Sequence, residues 1–139
     1  MDRFMNPKSV AVIGASEDPQ KGGYALVSNL KEGFSERLYP INPNASEICG
    51  LPAFRSVGDL PEPADLAVIF IPAGGVPEVM EACGKKGISR IMIQSAGFAE
   101  TGPRGLALQE ACVQVARQYG MRVWGPNCMG MVNGRTGMV

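Results

Sequence analysis

The stretch Val10-Ala-Val-Ile-Gly-Ala-Ser-Glu-Asp-Pro-Gln-Lys-Gly-Gly23 decides the expected fold of this chain. Its first four residues are apolar and predict a buried β-strand, which runs into Gly14 and a loop of small residues. A helix is expected to begin near Gly22. Such a strand–glycine loop–helix unit binds phosphates in α/β proteins, because the first helical turn has unpaired N–H donors and a positive dipole end. The stretch therefore predicts a nucleotide-type ligand, to which Lys21 adds a positive charge.

Strands and helices alternate along the rest of the chain. Short apolar runs predict further strands at 37–41, 66–71, 90–93 and 122–124, and apolar periodicity predicts helices over 24–34, from 76 to the glycine at 87, and over 108–119. Short strand–helix connections favour parallel pairing with right-handed crossovers. The expected fold is α/β: a Rossmann-like, doubly wound domain of three layers around a mainly parallel sheet of five or slightly more strands. A single domain over residues 1–139 is expected.

Charge and hydropathy exclude several classes of function. The chain has 13 basic and 13 acidic residues, which gives no electrostatic footprint for nucleic acid or for an anionic membrane. No apolar run approaches the roughly 20 residues that span a bilayer, and the polar N-terminus lacks the apolar core of a signal peptide. We therefore expect a cytoplasmic protein with neither nucleic acid nor membrane as a partner.

The cysteines and the missing histidines limit the chemistry. Cys49, Cys83, Cys112 and Cys128 are far apart and form no CxxC pair, which argues against a zinc site and against a disulfide framework. The chain has no histidine, so it contains neither a His-based triad nor a phosphohistidine. Cys83 and Cys112 fall within apolar helical stripes and are expected to pack in the core. No catalytic residue and no metal site is predicted.

The loops that follow the strands are expected to form the ligand site. In a parallel sheet they meet at one edge, where a doubly wound fold binds its ligand. These loops are 14–23, 42–44, 72–75, 95–98 and 125–130, and each is rich in Gly, Pro, Ser or Asn. They do not carry the NAD fingerprint, because GxGxxG is absent and Asn42, not an acidic residue, ends the second strand. A GxxxxGK[ST] phosphate loop is also absent.

Five motifs in these loops carry a family resemblance. They are Gly-Ala-Ser…Lys-Gly-Gly, Pro-Ile-Asn-Pro-Asn, Ile-Pro-Ala, Gln-Ser-Ala-Gly-Phe and Gly-Pro-Asn-Cys-Met-Gly, in that order. Together they resemble the N-terminal CoA-binding domain of the NDP-forming acyl-CoA synthetases, which include ADP-forming acetate–CoA ligases and the succinyl-CoA synthetase α subunit. The resemblance covers essentially the whole chain, and the last motif is the most specific.

The resemblance implies that coenzyme A, or acyl-CoA, lies across the strand ends. By this match the phosphates or the adjoining pantetheine would be held by Gly14, Ala15, Ser16, Lys21, Gly22 and Gly23. Asn42, Pro43 and Asn44 would flank the adenosine, and Ile71, Pro72 and Ala73 would line the groove. Ser95, Ala96, Gly97 and Phe98 would border the pantetheine arm, with Asn127 and Cys128 near the thiol. The cation that meets the CoA 3′-phosphate stays open among Lys21, Arg55 and Arg104.

The resemblance also implies that the complete reaction needs more than this chain. In the family, a phosphorylated histidine on a following domain and an ATP-grasp module carry out the ligase chemistry. We therefore expect the CoA-binding part of an ADP-forming acetyl-CoA synthetase, excised from a longer chain, with downstream ligase and ATP-grasp domains or subunits as partners. The alternatives are a stand-alone CoA- or nucleotide-sensing domain, the CoA-binding part of a protein acetyltransferase, and an NAD-type Rossmann domain.

Overall fold

The computed structural model describes residues 2–138. Its strands are β1 (Ser9–Ile13), β2 (Arg37–Ile41), β3 (Glu47–Ile48), β4 (Leu51–Pro52), β5 (Leu66–Ile69), β6 (Arg90–Ile93) and β7 (Arg122–Trp124). Its α-helices are α1 (Asp2–Met5), α2 (Gly22–Gly33), α3 (Val76–Lys86) and α4 (Pro103–Gln118). Single 3₁₀ turns occupy Val57–Asp59, Ala73–Gly75 and Ala99–Thr101. Within the described residues, none of the helices combines the length and apolar character that crossing a bilayer requires.

The central sheet is parallel, with the strand order β2-β1-β5-β6-β7. This confirms the predicted Rossmann-like α/β fold with five strands. The chain runs outward from β1 to β2, returns to β5 beside β1, and continues in the opposite direction to β7. The strand order therefore reverses between β1 and β5, which is the position where such sheets bind ligands.

Alternation along the strands divides the core between the two faces of the sheet. Ala11 and Ile13 of β1 pack with α3 and α4, whereas Val10 and Val12 pack on the other face with α2. Both faces are covered, which explains why the central strands are apolar at every position. The predicted apolar face of α2 is confirmed by Val27, Leu30 and Phe34, all of which are buried.

The two cysteines predicted to lie in the core are buried on the α3–α4 side. Cys83 is fully buried and Cys112 is 6% exposed. Burial disfavours the thiolate, and it raises the pKa of Cys83 to about 12 and that of Cys112 to about 11. Both thiols are therefore protonated and unreactive at neutral pH.

Three segments differ from the sequence prediction. The segment after β2, for which no strand is predicted, contains a small antiparallel hairpin of β3 and β4. Cys49 and Gly50 join the two strands, and both have positive φ. Helix α4 begins five residues earlier than predicted, with Pro103 in its first turn, where the missing N–H of proline costs nothing. Strand β5 ends at Ile69, so Phe70 and Ile71 belong to the loop that faces the ligand edge.

Candidate functional site

The loops after β1 and β5 begin side by side at the point where the strand order reverses. The amide of Phe70 donates to the carbonyl oxygen of Ile13 at 2.8 Å, and the amide of Gly14 donates to that of Ile41 at 3.3 Å. These bonds continue the sheet ladder by one residue before the loops separate. The strand ends are thereby fixed, and the loops above them start from a rigid base.

Close backbone packing explains why the first loop needs glycine. Gly14 has a φ of +94°, and a Cβ at this position would overlap the carbonyl oxygen of Phe70. A Cβ at Gly23 would in turn overlap the carbonyl oxygen of Gly14. The two glycines allow α2 to begin directly behind β1, so its N-terminus faces the strand ends.

The N-terminus of α2 is open. Lys21 is its N-cap and provides no side-chain cap, and the first turn carries no acidic residue. Within residues 2–138, no acceptor is found for the amides of Gly22 and Gly23. The side chain of Lys21 is exposed and forms no ion pair with any described residue. Two free amides, the positive end of the helix dipole and an unpaired ammonium group therefore lie together.

The rest of the first loop is held by its own polar side chains. Ser16 is only 8% exposed, and its hydroxyl accepts a hydrogen bond from the amide of Asp18 at 3.0 Å. The carboxylate of Asp18 accepts from the amide of Gln20, also at 3.0 Å. These bonds give the segment before Lys21 a defined shape.

Asn42 joins the β2 loop to the glycine loop. Its side-chain amide donates to the carbonyl oxygen of Ala15 at 2.8 Å, and its side-chain oxygen accepts from the amide of Asn44 at 2.8 Å. Both ends of the Asn42 side chain are therefore engaged. An acidic residue at this position could not donate the first of these bonds.

A pocket of about 330 Å³, which we call the β1–β2 pocket, lies beside this junction. It brings together four residues predicted from the sequence: Gly14, Asn42, Pro43 and Ile71. It is also lined by Arg55, Ser56, Val57, Glu78, Val79 and Ala82. Arg55 was among the cations predicted from the sequence, whereas the other five residues were not predicted. The turn that contains Ser56 and Val57 begins with a capping box between Ser56 and Asp59, which is visible in the sequence as Ser-x-x-Asp.

A second pocket of about 300 Å³, the β5–β6 pocket, adjoins the first. It is lined by Phe70, Ile71, Pro72, Ser95 and Ala96, of which only Phe70 was not predicted. The Ser95 hydroxyl, which is buried, accepts a hydrogen bond from the amide of Ile71 at 3.1 Å and so ties the two walls together. Ile71 lines both pockets, so they lie next to each other along the strand ends, and we refer to the two together as the groove.

The loop after β6 closes on itself. The carboxylate of Glu100 accepts the amides of Gly97 at 2.7 Å and Phe98 at 3.2 Å, and these bonds lower the pKa of Glu100. Thr101 donates its hydroxyl to the carbonyl oxygen of Phe98 at 2.8 Å. The amides of Gly97 and Phe98 are therefore already occupied.

Ala73 contacts this loop from the neighbouring one. A Cβ at Gly97 would lie 3.0 Å from the Cβ of Ala73. The side chain of Phe98, by contrast, is fully buried and points away from the groove. It lines a separate apolar cavity of about 510 Å³ between α4 and β7. The side chain of Phe98 therefore lies outside the groove. The predicted residues that do line its two pockets are Gly14, Asn42, Pro43, Ile71, Pro72, Ser95 and Ala96.

The last two predicted residues, Asn127 and Cys128, form hydrogen bonds to backbone carbonyl groups at the end of β6 and in the loop that follows it. The amide of Asn127 donates to the carbonyl oxygen of Ser95 at 2.9 Å. The thiol of Cys128 is half-buried and donates to the carbonyl oxygen of Ile93 at 3.3 Å. The chain contains no histidine that could activate this thiol as a base. The hydrogen bond to Ile93 holds Cys128 beside the end of β6, and the residue lines neither pocket of the groove.

Comparison with known proteins identifies the family. A family model described as "CoA binding domain" matches residues 8–134. The alpha subunit of acetate–CoA ligase [ADP-forming] II from Pyrococcus furiosus is 44% identical over 133 residues, which cover 96% of this chain and 29% of that protein.

Solved structures agree with this assignment. A crystal structure of a Pyrococcus horikoshii OT3 protein superimposes with a TM-score of 0.95 at 43% identity, covering 99% of this chain and 32% of that one. The apo dinucleotide-forming acetyl-coenzyme A synthetase 1 of Ca. Korarchaeum cryptofilum gives a TM-score of 0.93 at 41% identity, covering 98% of this chain and 30% of that one. This chain thus spans less than a third of the length of these relatives. It belongs to the CoA-binding domain family, in the form found in the ADP-forming acetate–CoA ligases.

Proposed function

We propose that this chain is the CoA-binding part of an ADP-forming acyl-CoA synthetase and that it holds CoA in the groove at the strand ends. The observation that carries the proposal is the union of the β1–β2 and β5–β6 pockets at Ile71, directly beside the open N-terminus of α2. Neighbouring strands are about 4.8 Å apart, so a groove that crosses several strand ends suits a long ligand with a nucleotide at one end.

The β1–β2 pocket is suited to the adenosine 3′-phosphate. Asn42 and Pro43 form one wall, and Arg55 lies at the pocket without an ion-pair partner among residues 2–138. Arg104, the competing candidate, lies on α4 and lines neither pocket of the groove. We therefore assign the 3′-phosphate contact to Arg55.

The pyrophosphate is assigned to the N-terminus of α2. The free amides of Gly22 and Gly23 are donors for its oxygens, and Lys21 adds a full positive charge. The pantetheine arm then follows the β5–β6 pocket along Ile71, Pro72 and Ser95, with its thiol toward Asn127 and Cys128. In this arrangement Ala96, and the backbone rather than the side chain of Phe98, borders the arm.

The chemical steps are assigned to other parts of the enzyme. The chain has no histidine to carry a phosphoryl group, and its two buried thiols are protonated. We therefore propose that it is one domain of a longer cytoplasmic protein or complex. Further ligase and ATP-grasp domains, or subunits, would activate the acid and bring the acyl group to the CoA thiol.

An NAD-type Rossmann domain is disfavoured by Asn42. An acidic residue at this position is needed to bind the ribose hydroxyls of NAD. Here the side-chain amide of Asn42 is used at both ends to hold the glycine loop.

Thermal denaturation with three ligands tests the proposal. A ligand present at about 100 times its Kd stabilises the folded state by about 2.7 kcal/mol. We expect a clear rise in Tm with CoA, a smaller rise with dephospho-CoA and no rise with NAD. A rise with NAD and none with CoA would overturn the proposed function.

A further inference from the structure

Glu100 makes contacts that its exposed position does not require. It is solvent-exposed, yet one of its carboxylate oxygens accepts two consecutive amides, those of Gly97 and Phe98. A second side-chain acceptor continues the pattern, because Gln109 of α4 accepts the amide of Ala99 at 3.4 Å. Three successive backbone donors are thus directed away from the groove and toward side chains of this chain.

The segment held in this way directly follows one wall of the β5–β6 pocket. Ser95 and Ala96 line that pocket, and they immediately precede the two amides that Glu100 binds. The opposite wall is joined to it at two points, by the bond between Ser95 and Ile71 and by the contact between Gly97 and Ala73. A displacement of the Gly97 backbone would therefore alter the width of this pocket.

The lining of the β1–β2 pocket contains none of the residues that Glu100 holds. None of its lining residues belongs to the loop after β6 or to the 3₁₀ turn that contains Glu100, and Ile71 is the residue that it shares with the β5–β6 pocket. We therefore expect a change at Glu100 to act more strongly on the β5–β6 pocket than on the β1–β2 pocket.

We propose that Glu100 is a positioning residue for the pantetheine half of the groove: it sets the Ser95–Phe98 wall by accepting two backbone amides and does not itself touch the ligand. This inference rests on the proposed function. Without the carboxylate, the amides of Gly97 and Phe98 lose their acceptor and form hydrogen bonds to water instead. The loop then no longer has a fixed shape. The ligand must then order this wall of the pocket when it binds, and the cost of that ordering lowers the affinity for CoA.

The test compares two ligands that differ in the pantetheine arm. Titration calorimetry measures the Kd of CoA and of adenosine 3′,5′-bisphosphate, which lacks pantetheine and the phosphate that carries it, for the wild type and for E100A, E100Q and E100D. We expect E100A to weaken CoA by about five- to tenfold while the bisphosphate keeps its affinity. E100Q should retain most of the CoA affinity, because its side-chain oxygen can accept the same two amides. E100D should weaken CoA, since its shorter side chain cannot reach both.

A matched control separates positioning from general destabilisation. Glu110 is an exposed glutamate on α4 that lines neither pocket of the groove, and E110A should leave both ligands unaffected. Unchanged CoA affinity in E100A, or an equal loss for CoA and the bisphosphate, would overturn the proposal. If E100A fails to fold, the same criteria apply to E100D. A wild-type protein that binds neither ligand would instead refute the proposed function, and this inference with it.

Discussion

The loops after β1 and β6 both contain glycine, but they differ in whether their backbone amides have acceptors within the described chain. After β1, the amides of Gly22 and Gly23 have no acceptor within residues 2–138, and the residue directly before them is Lys21. After β6, the amides of Gly97 and Phe98 are both taken by the carboxylate of Glu100. The first loop thus has backbone donors without an acceptor among the described residues, as our proposed phosphate contact requires, whereas the second loop has an acceptor of its own.

The difference shows that a glycine motif alone does not identify an anion site. Both loops lie at the same edge of the sheet, and both motifs contributed to the resemblance. What separates them is an acidic residue two or three positions further along, which is present after Gly97 and Phe98 and absent after Gly22 and Gly23. A carboxylate that already occupies the amides after β6 would compete with a phosphate there, and no such competitor is present at the amides of Gly22 and Gly23 among the described residues.

The largest expected effect comes from removing the close packing that places the first loop. Gly14→Ala puts a Cβ onto the Phe70 carbonyl oxygen at a positive φ, and we expect a loss of about 3 kcal/mol or more in the free energy of unfolding. Urea denaturation measures this loss. Gly74→Ala is the control, because a Cβ there meets nothing within 4 Å; it should change stability by less than about 1 kcal/mol. Equal stability of the two variants would show that the close approach is not required.

Removal of the cation from the open loop should weaken binding without affecting the fold. Lys21→Ala is expected to reduce CoA binding by about 1.5–3 kcal/mol, as for a charge-assisted phosphate contact, with little change in Tm, because its side chain is exposed and unpaired among the described residues. Lys85→Ala, which removes a lysine paired with Glu81 on α3, should leave CoA affinity unchanged. Titration calorimetry distinguishes the two. Full affinity in the Lys21 variant would remove this side chain from the site.

Arg55 offers a smaller and more selective effect at the other end of the groove. Arg55→Ala should weaken CoA by about 1–2 kcal/mol, since an exposed contact to one phosphate is screened by solvent. Dephospho-CoA, which lacks the 3′-phosphate, should bind both proteins equally. Arg104→Ala is the matched control and should affect neither ligand. A loss that is the same for CoA and dephospho-CoA would place Arg55 elsewhere on the ligand.

The sequence predicted the sheet well because its apolar strands and its strand-end glycines are local signals. Val10 to Ile13 are apolar at every position because both faces of β1 are covered, and this pattern is visible without any tertiary information. The end of β5 was less predictable. Phe70 and Ile71 continue the apolar run, but the strand ends at Ile69 and both residues line the groove.

The directions in which the side chains at the site point could not be predicted from the sequence. Nothing local indicates that Phe98 turns into the α4–β7 cavity while Ser95 of the same motif turns to Ile71. Glu78, Val79 and Ala82 were missed because α3 reaches the β1–β2 pocket only after the chain has crossed the sheet. The role of Glu100 likewise depends on backbone geometry, which brings its carboxylate back to amides that precede it.

The smallest predicted effect is the pH dependence of the closed loop. Hydrogen bonds from the amides of Gly97 and Phe98 hold the pKa of Glu100 below its ordinary value of 4.5. A carboxylate with a lowered pKa in the folded state stabilises the fold at neutral pH, and this contribution disappears as the pH falls through the folded-state pKa. The difference in unfolding free energy between wild type and E100Q, measured from about pH 6 to about pH 3, should therefore shrink toward acid. E110Q should show no such trend, because the carboxylate of Glu110 accepts no backbone amide among the described residues. If the difference in unfolding free energy between wild type and E100Q did not change with pH, the amides would bind the oxygen of Glu100 without favouring its charged form. The contrast with the open loop at α2 would then be one of geometry alone.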